Sequence, residues 1–484
     1  MNNRYFTTAT PESVGISSAA VEKVIDAMCM HTECQETHSF MIIRHRKIIA
    51  EGYFAPFYET KHVIHSCSKA FTATAIGFAV QEGLLSIDDP AAKYLPEYLP
   101  ENPDPMLDKL TIRNLLIMSN GHDKNVFKRP YEEITPEQLL RDFFACGFSS
   151  EPGTVMKYEN TNSYVLSAII KKVTGMDLIA YLRPRLLDKL GIDPYCIVDS
   201  NGMFVGYGGI RLRMEELARF GQFYMDGCKW NGEQLLSEDW AKLATAKHID
   251  SGKPDQPVGD WNQGYAFHMW RGQHNCFRYC GAYGQICACY PDYDMMFIVN
   301  SGHDSVIQDE LDPFYEHILT KLEETLPEDP AAQASLKARI ESLCLPTQFS
   351  KPSPYVSRVS GKTYEITDCG EVTGARLDFT SDVCHITLSY KNGESFEFDA
   401  GLKDYAYTEC GPTRISSLQP RDDAVCAANG YWKQLNEFSA DARMVATHAM
   451  FHLDFIFTPD GNAKLAVKSG RAYPLGSRRK LSEE

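Results

Sequence analysis

Hydrophobic and polar residues follow different periods in the two parts of this chain. Up to about residue 325, segments with helical periodicity alternate with short apolar runs, which predicts helices alternating with strands. After about residue 357, apolar and polar residues alternate one by one, which is typical of strands with one buried face. We therefore expect an α/β (α+β) domain over residues 1–325, a linker over 326–356 and a small antiparallel β domain over 357–484.

Local signals give approximate bounds for these elements, with hydroxyl caps before helices and glycine after them. Helices are predicted over residues 17–28, 70–82, 110–116, 164–173, 214–227 and 305–324, with one more in the linker over 331–343. Strands are predicted over residues 38–43, 47–54, 265–270, 285–290 and 295–300 in the first part. In the β domain they are predicted over 375–379, 383–390, 395–400 and 450–457, with a hairpin turn at 391–394.

The charge and cysteine content exclude some classes of partner. The formal net charge of −16 argues against binding to nucleic acid or to an anionic membrane surface. No apolar run is long enough to span a membrane, and residues 1–11 do not resemble a signal peptide. The 15 cysteines are an odd number without a C-x-x-C pair, which favours free thiols in a reducing cytoplasm. A homo-oligomer is compatible with the sequence, which does not specify one.

A serine and a lysine three residues apart begin one of the predicted helices. Ser66 and Lys69 lie in His65-Ser66-Cys67-Ser68-Lys69, and positions i and i+3 share a helix face. The Lys69 amine can then take the proton of the Ser66 hydroxyl and make it a nucleophile. The pattern is weak alone, since Ser66 could be a helix cap and Lys69 a solvated residue.

Two further segments could complete a site. Tyr158 and Asn160 are two residues apart in a predicted extended or loop segment, where their side chains would point the same way. The segment Tyr279-Cys280-Gly281-Ala282 comes before a predicted strand, and Gly281 allows a substrate or another backbone to approach closely. Turn or packing roles stay open, and for Tyr279 strand packing is as good an interpretation as substrate contact.

In this order, the three segments resemble the serine β-lactamase and penicillin-binding-protein superfamily, and more narrowly its class C-like branch of esterases, amidases and D-aminopeptidases. The resemblance covers roughly residues 8–325. It also includes four flanking segments, at residues 10–17, 64–77, 111–122 and 208–221. It implies a central antiparallel sheet flanked by helices, an all-helical lobe, and an active site between the two.

The resemblance also implies a role for each matching residue. Ser66 corresponds to the acylated nucleophile and Lys69 to its base. Tyr158 corresponds to the proton relay, and Asn160 to the residue that orients Lys69 and the substrate carbonyl. The oxyanion hole would be formed by the backbone N–H groups of Ser66 and Ala282.

The chain departs from the family at Tyr279-Cys280-Gly281. β-Lactamases and transpeptidases usually have Lys or His followed by Thr or Ser here, and these bind a substrate carboxylate. Arg278 is adjacent, but strand alternation turns it to the opposite face. The departure argues against efficient β-lactam hydrolysis and favours an ester or amide substrate without that carboxylate.

Other residues favour structural interpretations. His122, His268 and His274 have no metal-ligand spacing, so no metal or organic cofactor is expected. The glycine-rich segment 206–210 lacks the context of a nucleotide-binding motif, which indicates a structural role.

The sequence therefore predicts a serine hydrolase that acts through an acyl-enzyme on a small-molecule ester or amide, with weak or no β-lactamase activity. A base at Lys69 requires a lowered pKa. An acyltransferase and a non-catalytic penicillin-binding-like sensor are the alternatives. The role of the β domain is open, with a contribution to the cleft or to a dimer interface slightly favoured.

Overall fold

The computed structural model describes residues 4–30, 36–128, 134–196, 198–252, 259–302, 307–370, 372–410, 424–459 and 461–468. The first part of the chain is built around a seven-stranded sheet with strand order β1-β3-β2-β11-β10-β9-β8, and every pairing except β1 with β3 is antiparallel. The strands are β1 (Thr7–Thr8), β2 (Thr37–Arg44), β3 (Lys47–Tyr53), β4 (His62–Val63), β5 (Arg211–Leu212), β6 (Lys229–Trp230), β7 (Glu233–Gln234), β8 (Trp270–Arg271), β9 (Phe277–Gly281), β10 (Gln285–Tyr290) and β11 (Met295–Ser301).

Helices cover both faces of this sheet and form a separate lobe. They are α1 (Ser18–Met28), α2 (Lys69–Gln81), α3 (Ile112–Leu116), α4 (Pro136–Phe144), α5 (Asn160–Thr174), α6 (Leu178–Leu182), α7 (Asp188–Leu190), α8 (Met214–Met225), α9 (Glu238–Thr245) and α10 (Gln308–His317). Helix α8 packs on one face of the sheet, and α10 covers the other with α1 beside it. Helices α2, α3, α5 and α6 contact one another in the lobe.

The central strands are buried on both faces, and the period-two alternation decides which core each side chain joins. On β11, Met296 and Ile298 pack in the core below α8, while Phe297 and Val299 pack in the core below α10. The ring of Phe297 stacks on that of Phe314 at 4.4 Å between centroids. Burial on both sides explains why β11 is almost continuously apolar, as sequence analysis predicted for a strand at 295–300.

Three predicted elements differ from the structure in kind or by more than three residues at one end. The predicted strand at 265–270 is wrong, and only Trp270–Arg271 is strand there. His268 adopts a left-handed φ of 57°, and its N–H bonds Leu116 O at 2.9 Å, which breaks the ladder. Helix α5 begins at Asn160, four residues before the predicted start. The helix predicted over 305–324 ends at His317, and residues 305–306 of this prediction lie outside the described residues.

The C-terminal antiparallel domain is present, as predicted from the alternating pattern. Helices α11 (Pro330–Glu341) and α12 (Val356–Val359) precede it. Its strands are β12 (Lys362–Cys369), β13 (Val372–Phe379), β14 (Val383–Tyr390), β15 (Ser395–Gly401), β16 (Ala406–Cys410), β17 (Ala424–Gln434), β18 (Glu437–Met444), β19 (Met450–Phe457) and β20 (Ala463–Lys468). The order is β12-β13-β14-β15-β17-β18-β19-β20, with β16 beside β17, and β12 also lies next to β20. The sheet therefore curls around its own apolar core.

The β domain is packed firmly against the first part of the chain. Ala427 and Val445 join the core that contains Phe54 and Phe57. The buried Arg443 guanidinium lies 2.8 Å from the Glu36 carboxylate. Such contacts place the turn between β18 and β19 against the first domain.

Among the described residues, no helix is long and apolar enough to cross a membrane.

Candidate active site

Ser66 and Lys69 are brought together by a change of helix type. Ser66 lies in a 3₁₀ turn (His65–Ser68) that leads directly into α2, whose first residue is Lys69. Residues i and i+3 are eclipsed in a 3₁₀ turn, so the two side chains lie side by side. Lys69 Nζ is 2.8 Å from Ser66 Oγ. The hydroxyl is thus within proton-transfer distance of the amine.

The surroundings of Lys69 favour the neutral amine. Its side chain is completely buried, and its second hydrogen bond is to Tyr207 O at 2.8 Å. Burial lowers the pKa of Lys69 to about 7, because the charged form loses its hydration. A large fraction of the molecules then carries a neutral amine at neutral pH. Sequence analysis left open that Lys69 is a solvated helix residue, and its burial excludes this alternative.

The Tyr207 carbonyl belongs to the glycine-rich segment that sequence analysis interpreted as structural. Two successive carbonyls of this segment are hydrogen-bonded by α2, Gly206 O by Thr72 Oγ1 at 2.7 Å and Tyr207 O by Lys69. An added Cβ at Gly206 would lie 2.4 Å from Ser163 O, so the segment is also tight against α5. A backbone carbonyl has no sequence signature, and this partner of Lys69 was therefore missed.

Tyr158 lies next to both members of the pair. Lys69 Nζ is 4.9 Å from the centre of the Tyr158 ring. Desolvation raises the pKa of Tyr158 above its ordinary value, while hydrogen bonding to Ser66 opposes this shift. The residue is 38% exposed, and its ring stacks on that of Trp270. Part of this tyrosine is therefore accessible at the site.

Asn160 is the first residue of α5, after Glu159 in extended conformation as the N-cap. Glu159 is buried and accepts hydrogen bonds from Asn120 Nδ2 at 3.1 Å and Thr161 Oγ1 at 2.5 Å. These bonds fix the backbone between Tyr158 and Asn160. The hydrogen bonds of Lys69 go to Ser66 and Tyr207, so orientation of Lys69 by Asn160 stays a prediction.

Gly281 is the last residue of β9 and lies directly against the segment that carries Ser66. A Cβ added at Gly281 would lie 2.3 Å from Ile64 O and 3.0 Å from His65 Cβ. Only glycine permits this approach. Ala282 follows in the turn before β10 and is exposed, beside the same segment. The structure thus brings Gly281 to the segment that carries Ser66, and a second oxyanion N–H at Ala282 stays a prediction.

Tyr279 and Arg278 point to opposite faces of β9. Tyr279 is 1% exposed and packs against Phe220, at 5.2 Å between ring centres. Of the two interpretations that sequence analysis left open for Tyr279, strand packing is therefore the one that the structure supports, and the side chain is not accessible to a substrate. Arg278 is fully buried on the other face, where its guanidinium donates to Asp260 O at 2.9 Å. The alternation predicted for Arg278 is confirmed.

Two of the histidines singled out in the sequence, His122 and His268, are buried. His268 accepts or donates a hydrogen bond with Ser163 Oγ at 3.0 Å, and burial lowers its pKa to about 3. Burial likewise lowers the pKa of His122 to about 4. Within the ranges that the structure describes, no group of three or more His, Cys, Asp or Glu residues is arranged to hold a metal ion.

A family model described as Beta-lactamase matches residues 35–317, which is more than half of the chain. The chain belongs to this family. The match includes Ser66, Lys69, Tyr158 and Gly281, and it ends before the β domain.

Individual relatives are distant and cover parts of the chain. The 6-aminohexanoate-dimer hydrolase of Paenarthrobacter ureafaciens is 27% identical over 232 residues, which are 43% of this chain and 57% of that protein. This chain thus spans little more than half the length of that relative.

Solved structures support the fold. A penicillin-binding protein homologue from Caulobacter crescentus superposes with a TM-score of 0.52 at 16% identity, over 64% of this chain and 99% of that one. A class C β-lactamase superposes with a TM-score of 0.50 at 20% identity, over 63% and 96%. The predicted β-lactamase/transpeptidase-like fold is confirmed.

Proposed function

We propose that this protein is a serine hydrolase that acts on a small ester or amide through an acyl-enzyme at Ser66. The proposal rests chiefly on one observation, the 2.8 Å separation between Ser66 Oγ and the buried amine of Lys69. A lysine that is neutral at about pH 7 is a competent base for a serine hydroxyl. Family membership and the named hydrolase relative support the same class of chemistry.

In the proposed mechanism, Ser66 Oγ attacks the substrate carbonyl carbon while its proton passes to Lys69 Nζ. The carbonyl oxygen becomes an oxyanion that accepts hydrogen bonds from the N–H groups of Ser66 and Ala282. Lys69, through Tyr158, protonates the leaving alcohol or amine as the tetrahedral intermediate collapses. Water then attacks the acyl-enzyme and gives up a proton along the same path, which regenerates Ser66.

The substrate side of the cleft differs from that of a β-lactamase. Tyr279 and Cys280 are both buried, so they offer no accessible cation or hydroxyl for a substrate carboxylate. Next to Tyr158, the partly exposed indole of Trp270 stacks at 5.7 Å between ring centres, and Trp261 packs edge-on to it. This apolar wall favours an uncharged substrate group, such as an alkyl or aryl chain, over a carboxylate.

The test compares hydrolysis of short-chain p-nitrophenyl esters and nitrocefin by the wild type and Ser66→Ala. We expect ester turnover with slow nitrocefin cleavage, and a loss of at least about a thousandfold in Ser66→Ala, because no other side chain takes the acyl group. Ser68→Ala is the matched control, since Ser68 lies in the same turn but its Oγ accepts from the Ile210 N–H at 3.1 Å. This variant should keep most of the activity.

Intact mass and product analysis separate the alternatives. Equal activity in wild type and Ser66→Ala, without a gain of acyl mass, would show that Ser66 is not the nucleophile. An acyl adduct that persists without product release would indicate the sensor. A new ester formed with added alcohol at the expense of hydrolysis would indicate an acyltransferase.

A further inference from the structure

The β domain reaches the segment that carries Ser66. Residues 445–449 form the turn between β18 and β19, and they lie against the start of the 3₁₀ turn. His448 Nδ1 is 2.8 Å from His65 Nε2, and the Val63 N–H donates to Ala446 O at 2.9 Å. The His448 ring also stacks on that of Tyr283, with 3.7 Å between centres and 7° between planes.

The two residues that His448 contacts flank the two backbone N–H groups of the proposed oxyanion hole. His65 comes directly before Ser66, and Tyr283 comes directly after Ala282. One side chain from the β domain therefore bridges the two segments that must converge on the substrate carbonyl oxygen. Ser66, His65, Tyr283 and His448 are all partly exposed, so the cluster lies at an accessible surface.

Both contacted residues have an unfavourable backbone conformation. His65 has a φ of 45° and Tyr283 a φ of 64°, in the left-handed region that residues with a side chain rarely adopt. Such a conformation costs free energy and persists only where its surroundings hold it. The hydrogen bond of His448 to His65 and its stacking on Tyr283 are contacts that can hold these two conformations.

We infer that His448 is a positioning residue for the Ser66 centre, which holds the His65–Ser66 and Ala282–Tyr283 segments at the spacing that the oxyanion requires. The inference rests on the proposed function. Donors of an oxyanion hole act only if they are placed to within a few tenths of an ångström of the developing charge. Loosening either segment should slow the chemical step more than it weakens substrate binding.

The hydrogen bond between the two imidazoles needs one N–H and one free lone pair. Desolvation of the ring lowers the pKa of His65 well below its ordinary value, and the nearby His448 adds to the effect. The neutral form of His65 is thereby favoured. A glutamine at position 448 can still bond His65 but cannot stack, whereas a phenylalanine can stack but cannot bond. The two contacts are thus separable.

The experiment measures kcat and KM for a p-nitrophenyl ester with His448→Ala, His448→Phe and His448→Gln, each normalised to active sites by the acylation burst. We expect kcat of His448→Ala to fall about tenfold or more with KM within about twofold, and the other two variants to lose less. The matched control is His385→Ala, because His385 lies in the same domain and bonds Asp399 at 2.8 Å. It should leave both constants unchanged.

A second measurement, of kcat in a double variant, tests whether His65 and His448 act through their shared hydrogen bond. In the double variant His65→Ala/His448→Ala, kcat should fall no further than in the more impaired single variant, because both substitutions remove the same hydrogen bond between the two residues. If the kcat of all three His448 variants stays within twofold of an active wild type, the inference is overturned and Ser66 chemistry stands. If the wild type has no Ser66-dependent turnover, the proposed function and this inference fail together.

Discussion

At the scale of single residues, the surroundings of the Lys69 amine decide whether it can act as the base in the proposed reaction. Lys69 is fully buried, and its recorded hydrogen bonds go to a hydroxyl and a carbonyl rather than to a carboxylate. Burial outweighs the opposing effect of Cys67, so the ammonium form is disfavoured and the pKa of Lys69 falls to about 7. The same lysine on a solvated helix face would stay protonated and could not accept the serine proton.

This lysine predicts the pH dependence of acylation. Since the neutral amine is the base, kcat/KM should rise as pH increases through about 7 and level off above it. Lys69→Arg should lose at least about a hundredfold, because the guanidinium stays protonated. Measuring kcat/KM for a p-nitrophenyl ester from pH 5 to pH 9 checks both. A plateau that extends unchanged below pH 6 would contradict Lys69 as the base.

The matched control for this substitution is Lys93→Arg, because Lys93 is an exposed lysine paired with Asp89. Its pH profile should be that of the wild type. A comparable loss of activity in this control would mean that replacing a lysine by arginine anywhere, rather than at the site, impairs the enzyme.

At the scale of elements, the site depends on the close approach of a strand end to the nucleophile segment. The last residue of β9 touches the backbone of Ile64, and the following turn carries Ala282. The β9–β10 hairpin is held in the central sheet by regular pairing, including Cys287 with Tyr279. A rigid sheet edge thus supplies one half of the proposed oxyanion hole, and the 3₁₀ turn supplies the other.

Gly281→Ala tests this approach. The added Cβ would lie 2.3 Å from Ile64 O, so strand end and nucleophile segment must separate. A displacement near 1 Å at a catalytic centre costs up to about a hundredfold in rate. We expect kcat/KM for ester hydrolysis to fall at least about tenfold.

Gly374→Ala is the matched control, since Gly374 is also a strand glycine and its nearest neighbours would lie at 3.5 Å. It should be close to wild type in activity. Full activity in Gly281→Ala would show that the spacing of the two segments does not limit catalysis.

At the scale of the whole molecule, the β domain is joined to the first domain by shared core and buried charge. Ala427 and Val445 contribute to a core of the first domain, and the Arg443–Glu36 pair is only 5% and 11% exposed. A buried ion pair costs desolvation, so its value lies mainly in fixing how the two surfaces meet. That fixed arrangement is what allows the 445–449 turn to contact His65.

Removing one partner of this pair should destabilise the protein strongly. Arg443→Met leaves Glu36 buried without its counter-ion, which costs about 3–5 kcal/mol in comparable cases. The double variant Glu36→Gln/Arg443→Met should regain part of this loss, because no unpaired charge remains. Chemical denaturation followed by circular dichroism gives the free energies of unfolding. Equal stability in wild type and Arg443→Met would mean that the pair does not hold the domains together.

Several features follow from the sequence because they depend on neighbours along the chain. The spacing of Ser66 and Lys69, the opposite faces of Arg278 and Tyr279, and the alternating strands of the C-terminal domain all reflect local geometry. The resemblance to the β-lactamase family then predicted the overall fold. Local signals failed at residues 265–270, where a distant carbonyl, Leu116 O, holds His268 in a conformation incompatible with a strand.

The tertiary structure decided everything that joins residues far apart. The burial that lowers the pKa of Lys69, the Tyr207 carbonyl that holds its amine, and the approach of Gly281 to Ile64 depend on packing between separate elements. His448 is 383 residues from His65, and nothing in its own sequence context marks it. The chain itself therefore determined which groups could react, and the fold determined their distances, their hydration and their charge.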